Sequence, residues 1–175
     1  MVKRFLTLVT IILFVSASCE KELHKLSMAK TPYIGNELRI DGYYYSNQVF
    51  TDYNGIAVFY RDGVCMNVYS RIESQDTLSF IENEILLNEA LMSNFRNTPN
   101  HIGVFQINAK SIVFETWEAG RDIITFSNYG EILNDTTFLI TKQVNNESGA
   151  TEAMSLTYRY RQFSPKPDST NAFIR

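Results

Sequence analysis

Few side chains in this 175-residue sequence have the types and spacing that chemistry requires. Cys19 follows an apolar run, Phe5 to Val15, broken only by Thr7 and Thr10, and is preceded by Ser16-Ala17-Ser18. Small residues before a cysteine suit a protease that cleaves an extended chain, and the new N-terminal cysteine then offers a thiol and an amine. Cys65 has no neighbouring base or cation to lower its pKa, so it reads as a small strand residue and not as a nucleophile. His24 and His101 have no cysteine or carboxylate at metal-ligand spacing. Glu115 and Glu118 flank Trp117, a grouping that can stack on and hydrogen-bond a sugar; an exposed strand end looks the same, and that plainer reading is preferred. No glycine-rich phosphate loop is present. The sequence therefore gives no enzyme signature and implies neither metal nor cofactor.

The elements around Cys19 explain its importance. Lys3 and Arg4 precede the eleven-residue apolar stretch, which is far short of the roughly 20 residues a stable membrane span needs. The run and Ser16-Ala17-Ser18-Cys19 resemble the signal peptide and lipobox of bacterial lipoproteins, with Ser16 where that pattern prefers leucine. The resemblance implies that residues 1–18 are a signal peptide, that cleavage follows Ser18, and that Cys19 becomes diacylated. The partner is then a membrane, reached through the anchor, and the location is the cell envelope: the outer membrane, facing the periplasm or the cell surface. Secretory cleavage without lipid is the alternative. Residues 19–36 read as the lipidated cysteine and a polar tether. Within it Glu20-Lys21-Glu22 partly resembles a surface-sorting signal of Bacteroidota lipoproteins, and a solvated spacer accounts for it equally well.

Composition fits a folded domain beyond the tether. Removing a leader that contains Lys3 and Arg4 lowers the basic count from 16 to 14 against 19 acidic side chains, a formal net of −5. With no basic cluster to displace counterions, nucleic acid is excluded as a partner. If Cys19 carries lipid, Cys65 is unpaired and packing alone holds the fold.

The apolar pattern from Glu37 onward alternates with period two. Strands are expected at Glu37 to Tyr45, Gly55 to Arg61 and Val64 to Arg71, the last two joined by an Asp62-Gly63 hairpin. Ile56, Val58 and Tyr60 share one face, as do Val64, Met66 and Val68; Cys65, Asn67 and Tyr69 share the opposite one. From Thr77 to Arg96 the apolar steps become helical, with Asp76 or Thr77 as cap, so one amphipathic helix is expected over an end or face of the sheet. Five more strands follow: Ile102 to Ile107, Ser111 to Trp117, Asp122 to Leu133, Thr136 to Gln143 and Glu152 to Phe163. The prolines after Ser164 end the pairing.

The fold class is thus mainly β: an eight-stranded antiparallel up-and-down barrel spanning residues 37–163, with one helix after the third strand and a loose tail at 164–175. Periodicity leaves a two-sheet sandwich open. Asp41-Gly42-Tyr43-Tyr44-Tyr45, Tyr60-Arg61-Asp62-Gly63, Gly103-Val104-Phe105-Gln106-Ile107 and Tyr129 to Phe138 resemble the small lipocalin-like lipoproteins of Bacteroidota. Lipocalins proper place Gly-x-Trp on the first strand beneath an arginine from the last. Here Gly42-Tyr43-Tyr44 stands in its place, and Arg159 or Arg161 is the candidate cation. The resemblance implies a small apolar or amphipathic ligand among Tyr44, Tyr60, Phe105, Phe114, Phe126 and Tyr158. A filled barrel acting as an envelope scaffold or interaction module, its protein partner unspecified, is the second reading. Asp76-Thr77-Leu78, Asp135-Thr136-Thr137 and Asp168-Ser169-Thr170 also resemble short O-glycosylation sequons of that phylum, and Asp-Thr is equally ordinary turn and cap chemistry.

Overall fold

The computed structural model describes residues 25–50, 53–74, 76–119 and 123–175. The leader, Cys19 and the start of the tether lie outside them. Eight strands run in meander order: β1 Gly42–Phe50, β2 Tyr53–Phe59, β3 Val64–Ser70, β4 Ile102–Asn108, β5 Ser111–Ala119, β6 Ile123–Asn134, β7 Thr137–Asn145 and β8 Thr151–Gln162. All neighbours are antiparallel, as short connections require, and β8 pairs back onto β1 through Tyr44 opposite Tyr160 and Gly42 opposite Gln162. The sheet is a closed barrel, and closure removes the edges that a sandwich would leave exposed.

The hairpin at Asp62-Gly63 forms as its residue types dictate. Gly63 has φ +88°, and a Cβ there would also collide with the Thr31 carbonyl. Asp62 Oδ1 accepts from the Val64 amide at 3.2 Å, which fixes the turn.

Alternation then sorts side chains into two cores. Inside the barrel lie Tyr44, Ala57, Phe59, Cys65, Phe105, Phe114, Phe138 and Tyr158. On the outer face of β1–β3 lie Tyr43, Ile56, Val58, Tyr60, Met66 and Val68, covered by Ile81, Ile85, Leu86, Met92 and Phe95 of the helical segment. That segment is not one helix. It comprises α1 Thr77–Phe80, a π-helical stretch Ile81–Leu86 and α2 Glu89–Asn97. The break falls where the apolar stripe takes a step of six, from Ile85 to Leu91. Asn88 restarts the helix there by accepting from the Leu91 amide at 3.1 Å, much as Asp76 caps α1 through the Ser79 amide at 3.0 Å.

Both termini depart from expectation. β1 begins at Gly42 because residues 33–41 cross the base of the barrel and plug it. Leu38 is buried in the interior core with Tyr33, the Arg39 amide donates to the Asp135 carbonyl, and the Tyr44 hydroxyl donates to the Arg39 and Asp135 carbonyls at 2.9 and 3.0 Å. Residues 25–32 of the expected free tether lie along β4 and β5, where Gln106 Nε2 donates to the Ala29 carbonyl at 3.1 Å. The tail is likewise seated and not loose. Lys166 Nζ donates to the Ile40 and Phe59 carbonyls, Phe173 packs edge-on to Trp117 at 6.1 Å, and the Ala172 amide donates to the Arg96 carbonyl. The cause is the outer face of β4 and β5, which carries Val104, Glu115 and Trp117, all buried. Such a face needs cover, and the two terminal segments supply it.

Candidate functional site

The base half of the barrel is an aromatic cluster. Phe59 lies 4.8 Å from Phe105, 5.8 Å from Tyr44 and Phe138, and 6.0 Å from Phe114; Phe138 stacks on Tyr158 at 4.8 Å. Four of the six expected ligand residues, Tyr44, Phe105, Phe114 and Tyr158, therefore come together, and their rings pack on one another. Tyr60 does not join them. It shares the outer face with Ile56 and Val58, beneath the helices, with the Lys166 ammonium 4.4 Å above its ring. Phe126 is opposite Thr116 on β5, on the inward side, half-buried and outside the aromatic cluster.

Beyond the rings the interior turns polar. Thr116 and Glu118 continue the inward face of β5 set by Phe114, because side chains two apart share a face. Asn67 continues that of β3 after Cys65, and Asn128 is opposite Phe114 on β6. Asn67, Thr116 and Asn128 are 4%, 1% and 2% exposed. Within this layer Gln143 Nε2 donates to Asn128 Oδ1 at 3.0 Å and so joins two strands through buried amides. Asn67 Oδ1, Thr116 Oγ1, Glu118 Oε1 and Asn128 Nδ2 are all buried without a hydrogen-bond partner. An unmet buried polar group costs about 1–3 kcal/mol, so four in one layer are a strong departure from ordinary packing. Toward the mouth, the end away from the plug, Phe126, Met154 and Leu156 keep part of their surface exposed.

Electrostatics mark the same layer. Burial pushes the Glu118 carboxyl above the usual carboxylate range. Burial, reinforced by the Glu118 charge, raises the Tyr69 phenol; Tyr158 is raised well above its ordinary value by burial, then by Tyr69 and Glu118. These three groups thus face one another across the interior. His101 is lowered, chiefly by burial, and its ring lies 4.2 Å from that of Phe95, a packing role.

Other sequence candidates resolve differently. Glu115 and Glu118 point to opposite sides of β5, so no sugar platform forms around Trp117. Glu115 is fully buried and accepts from the Ser27 amide at 2.9 Å and hydroxyl at 3.0 Å, the Met28 amide at 2.8 Å and Asn146 Nδ2 at 2.9 Å. The Cys65 thiol is buried and pushed up by desolvation. Arg161 does not stack on the Gly42-Tyr43-Tyr44 element. It is opposite Tyr43 on the outer face and binds Glu82 at 3.0 Å; cations at the base include Arg39, 4.5 Å over Tyr160, and Arg61, 5.3 Å over Tyr33. Among the described residues no group of three or more His, Cys, Asp or Glu side chains is placed to hold a metal.

Asn67, Thr116 and Asn128 were not singled out by sequence reasoning as ligand groups, and Glu118 entered only through the sugar grouping around Trp117. Their signal was present: each is a polar residue at a core-facing strand position, which a filled barrel does not need.

A closed eight-stranded antiparallel barrel, plugged at one end and polar toward the other, is consistent with a lipocalin-like fold. No family model, curated protein or solved structure matches the chain.

Proposed function

We propose that the protein is a lipid-anchored binding protein, not an enzyme, which takes a small amphipathic molecule into the mouth of its barrel. The observation that carries this reading is the layer of four unpartnered polar atoms above an apolar floor. A ligand with a polar head and a compact apolar body satisfies both levels: the head meets the polar layer, and the body rests against Phe126, Met154 and Leu156. The binding determinants are thus Asn67, Thr116, Glu118 and Asn128 over a floor that includes Phe114 and Tyr158. Tyr44 and Phe105 hold that floor from below.

The anchor is Cys19, and chain geometry supports a mouth that faces the bilayer. From Tyr33 at the base the chain runs back along β4 and β5, and Ser27 shares Glu115 with Asn146 of the β7–β8 connection at the mouth end. The six links from Cys19 to Lys25 span at most about 21 Å, at ~3.5 Å each. Two or more acyl chains at Cys19, with each buried methylene worth about 0.8 kcal/mol, make a lasting anchor.

The packed aromatic base favours a second reading, a filled barrel serving as an envelope interaction module. Native mass spectrometry of protein extracted from the membranes of its own host separates the two. The first reading expects a lipid mass on Cys19 and a co-purifying small molecule, displaced when Glu118 and Asn67 are replaced. Repeated spectra of lipidated but empty protein overturn it in favour of the second.

A further inference from the structure

The proposed ligand site has a sign and a donor–acceptor pattern that narrow its occupant. We propose that the mouth of the barrel recognises a small organic cation, an amine on a compact apolar body, with its ammonium against Glu118 and with Asn67 Oδ1 and Thr116 Oγ1 as further acceptors. This rests on the ligand-binding reading and deepens it.

The first argument is complementarity. Asn67 Oδ1 and an ionised Glu118 Oε1 accept only, the Thr116 hydroxyl can accept or donate, and Asn128 Nδ2 donates only. Such a set calls for a head rich in donors, and an ammonium carries three. A phosphate or carboxylate head brings acceptors and negative charge toward Glu118 and fails on both counts. A hydrocarbon head leaves every one of the four atoms unmet.

Charge gives the second argument. Among the described residues, the ion pairs formed by Arg39, Arg71, Arg96 and Arg161 go to carboxylates other than Glu118. A carboxylate turned into a barrel with no counter-ion among the described residues is costly. A ligand cation removes that cost, and its charge-assisted hydrogen bonds are about twice as strong as neutral ones. Burial already raises the Glu118 carboxyl, and an ammonium beside it favours the ionised form.

The third argument is the wall. Tyr69 and Tyr158 lie near enough to Glu118 to feel its charge, Phe126 is on the neighbouring strand opposite Thr116, and aromatic ring faces attract a desolvated cation. Phe126 and Met154 then meet the apolar body.

Isothermal titration of the folded protein with 2-phenylethylamine, its neutral analogue 2-phenylethanol and the anion phenylacetate tests the inference. The amine should bind at least about tenfold more tightly than the alcohol, a difference of roughly 1.4 kcal/mol, and phenylacetate should give no heat. Glu118→Gln should lose at least about tenfold for the amine with little change for the alcohol. Thr116→Val, which keeps the side-chain shape, should lose severalfold for the amine and guards against misfolding of the first variant. Alcohol binding equal to amine binding, or an unchanged Glu118→Gln, overturns the cation while leaving a ligand site. Absence of binding by all three probes also overturns the cation, and the ligand-binding reading is then judged separately by the native mass spectra.

Discussion

Replacing Phe59 and Phe126 with alanine, one at a time, separates the filled base from the mouth proposed to face a ligand. Phe59 is 1% exposed and its ring touches those of Tyr44, Phe105, Phe114 and Phe138. Truncating a buried phenylalanine costs about 3–5 kcal/mol through lost transfer energy and the cavity left behind. Four ring partners, each worth roughly 0.5–1.5 kcal/mol beyond area, put Phe59→Ala at the top of that range. Phe126 is half-buried and lies outside the aromatic cluster, so its truncation should cost about 1 kcal/mol. A domain of this size is stable by about 5–15 kcal/mol in total, so Phe59→Ala removes a large share. Urea unfolding followed through Trp117, the single tryptophan, reads both. With a slope near 2 kcal/mol per molar, Phe59→Ala moves the midpoint down by about 2 M and Phe126→Ala by about 0.5 M. Equal shifts would refute the division of the interior into a packed floor and a more loosely packed mouth.

Three further outcomes are expected. Glu115→Gln, which removes the charge that holds two amides, a hydroxyl and Asn146, should cost about 1.5–3 kcal/mol; hydrogen exchange at the Ser27 and Met28 amides should speed up well ahead of exchange in the strands, and uniform protection argues against the clamp. The Cys65 thiol, buried with its pKa raised, should resist a thiol-specific disulfide reagent in the folded Cys19→Ala protein and react promptly in denaturant; fast reaction of the native state places it wrongly. Asp41 is held at about 2 by hydrogen bonds from Arg39 and Tyr160, below its ordinary value of 3.8. The stability it contributes is therefore present above about pH 4 and is lost as pH falls through about 2. A carboxyl titration by NMR should show this midpoint and its rise toward the ordinary value in Arg39→Ala.

How far the sequence carried depended on which interaction fixed each feature. Strand alternation is local, so the grouping of Ile56, Val58 and Tyr60 apart from Cys65, Asn67 and Tyr69 was readable, and so was the nearest-neighbour order. Which of those faces points inward is a property of closure, and the barrel turned the Ile56 face outward because the helices cover it. That is why Tyr60, an aromatic like the others, sits outside. The helix break at Leu87 and Asn88 was visible as a step of six in the apolar spacing, though its meaning needed the cap at Asn88. The base plug was not legible, since Leu38 and Ile40 alternate as a strand would, and only the Arg39 and Tyr44 bonds to the Asp135 loop turn them across the floor. The polar layer has four members on three strands, and no window of sequence brings them together.

Two consequences of the plug belong to one design. Chain before β1 closes the base, so the interior rings need no lid and can pack against one another and against Leu38. The same chain must then approach the base from outside, and it does so along β4 and β5, clamped by Glu115. With the clamp in place Lys25 lies beside Trp117 and the tail, away from the plugged floor. On the proposed lipidation, the anchor thus leaves from the mouth half, and an amphipathic ligand has a short path between bilayer and barrel. The buried Glu115 carboxylate, whose partners among the described residues are Ser27, Met28 and Asn146, would on that proposal tie orientation to fold: releasing it should free the segment leading to the anchor while leaving the eight strands paired.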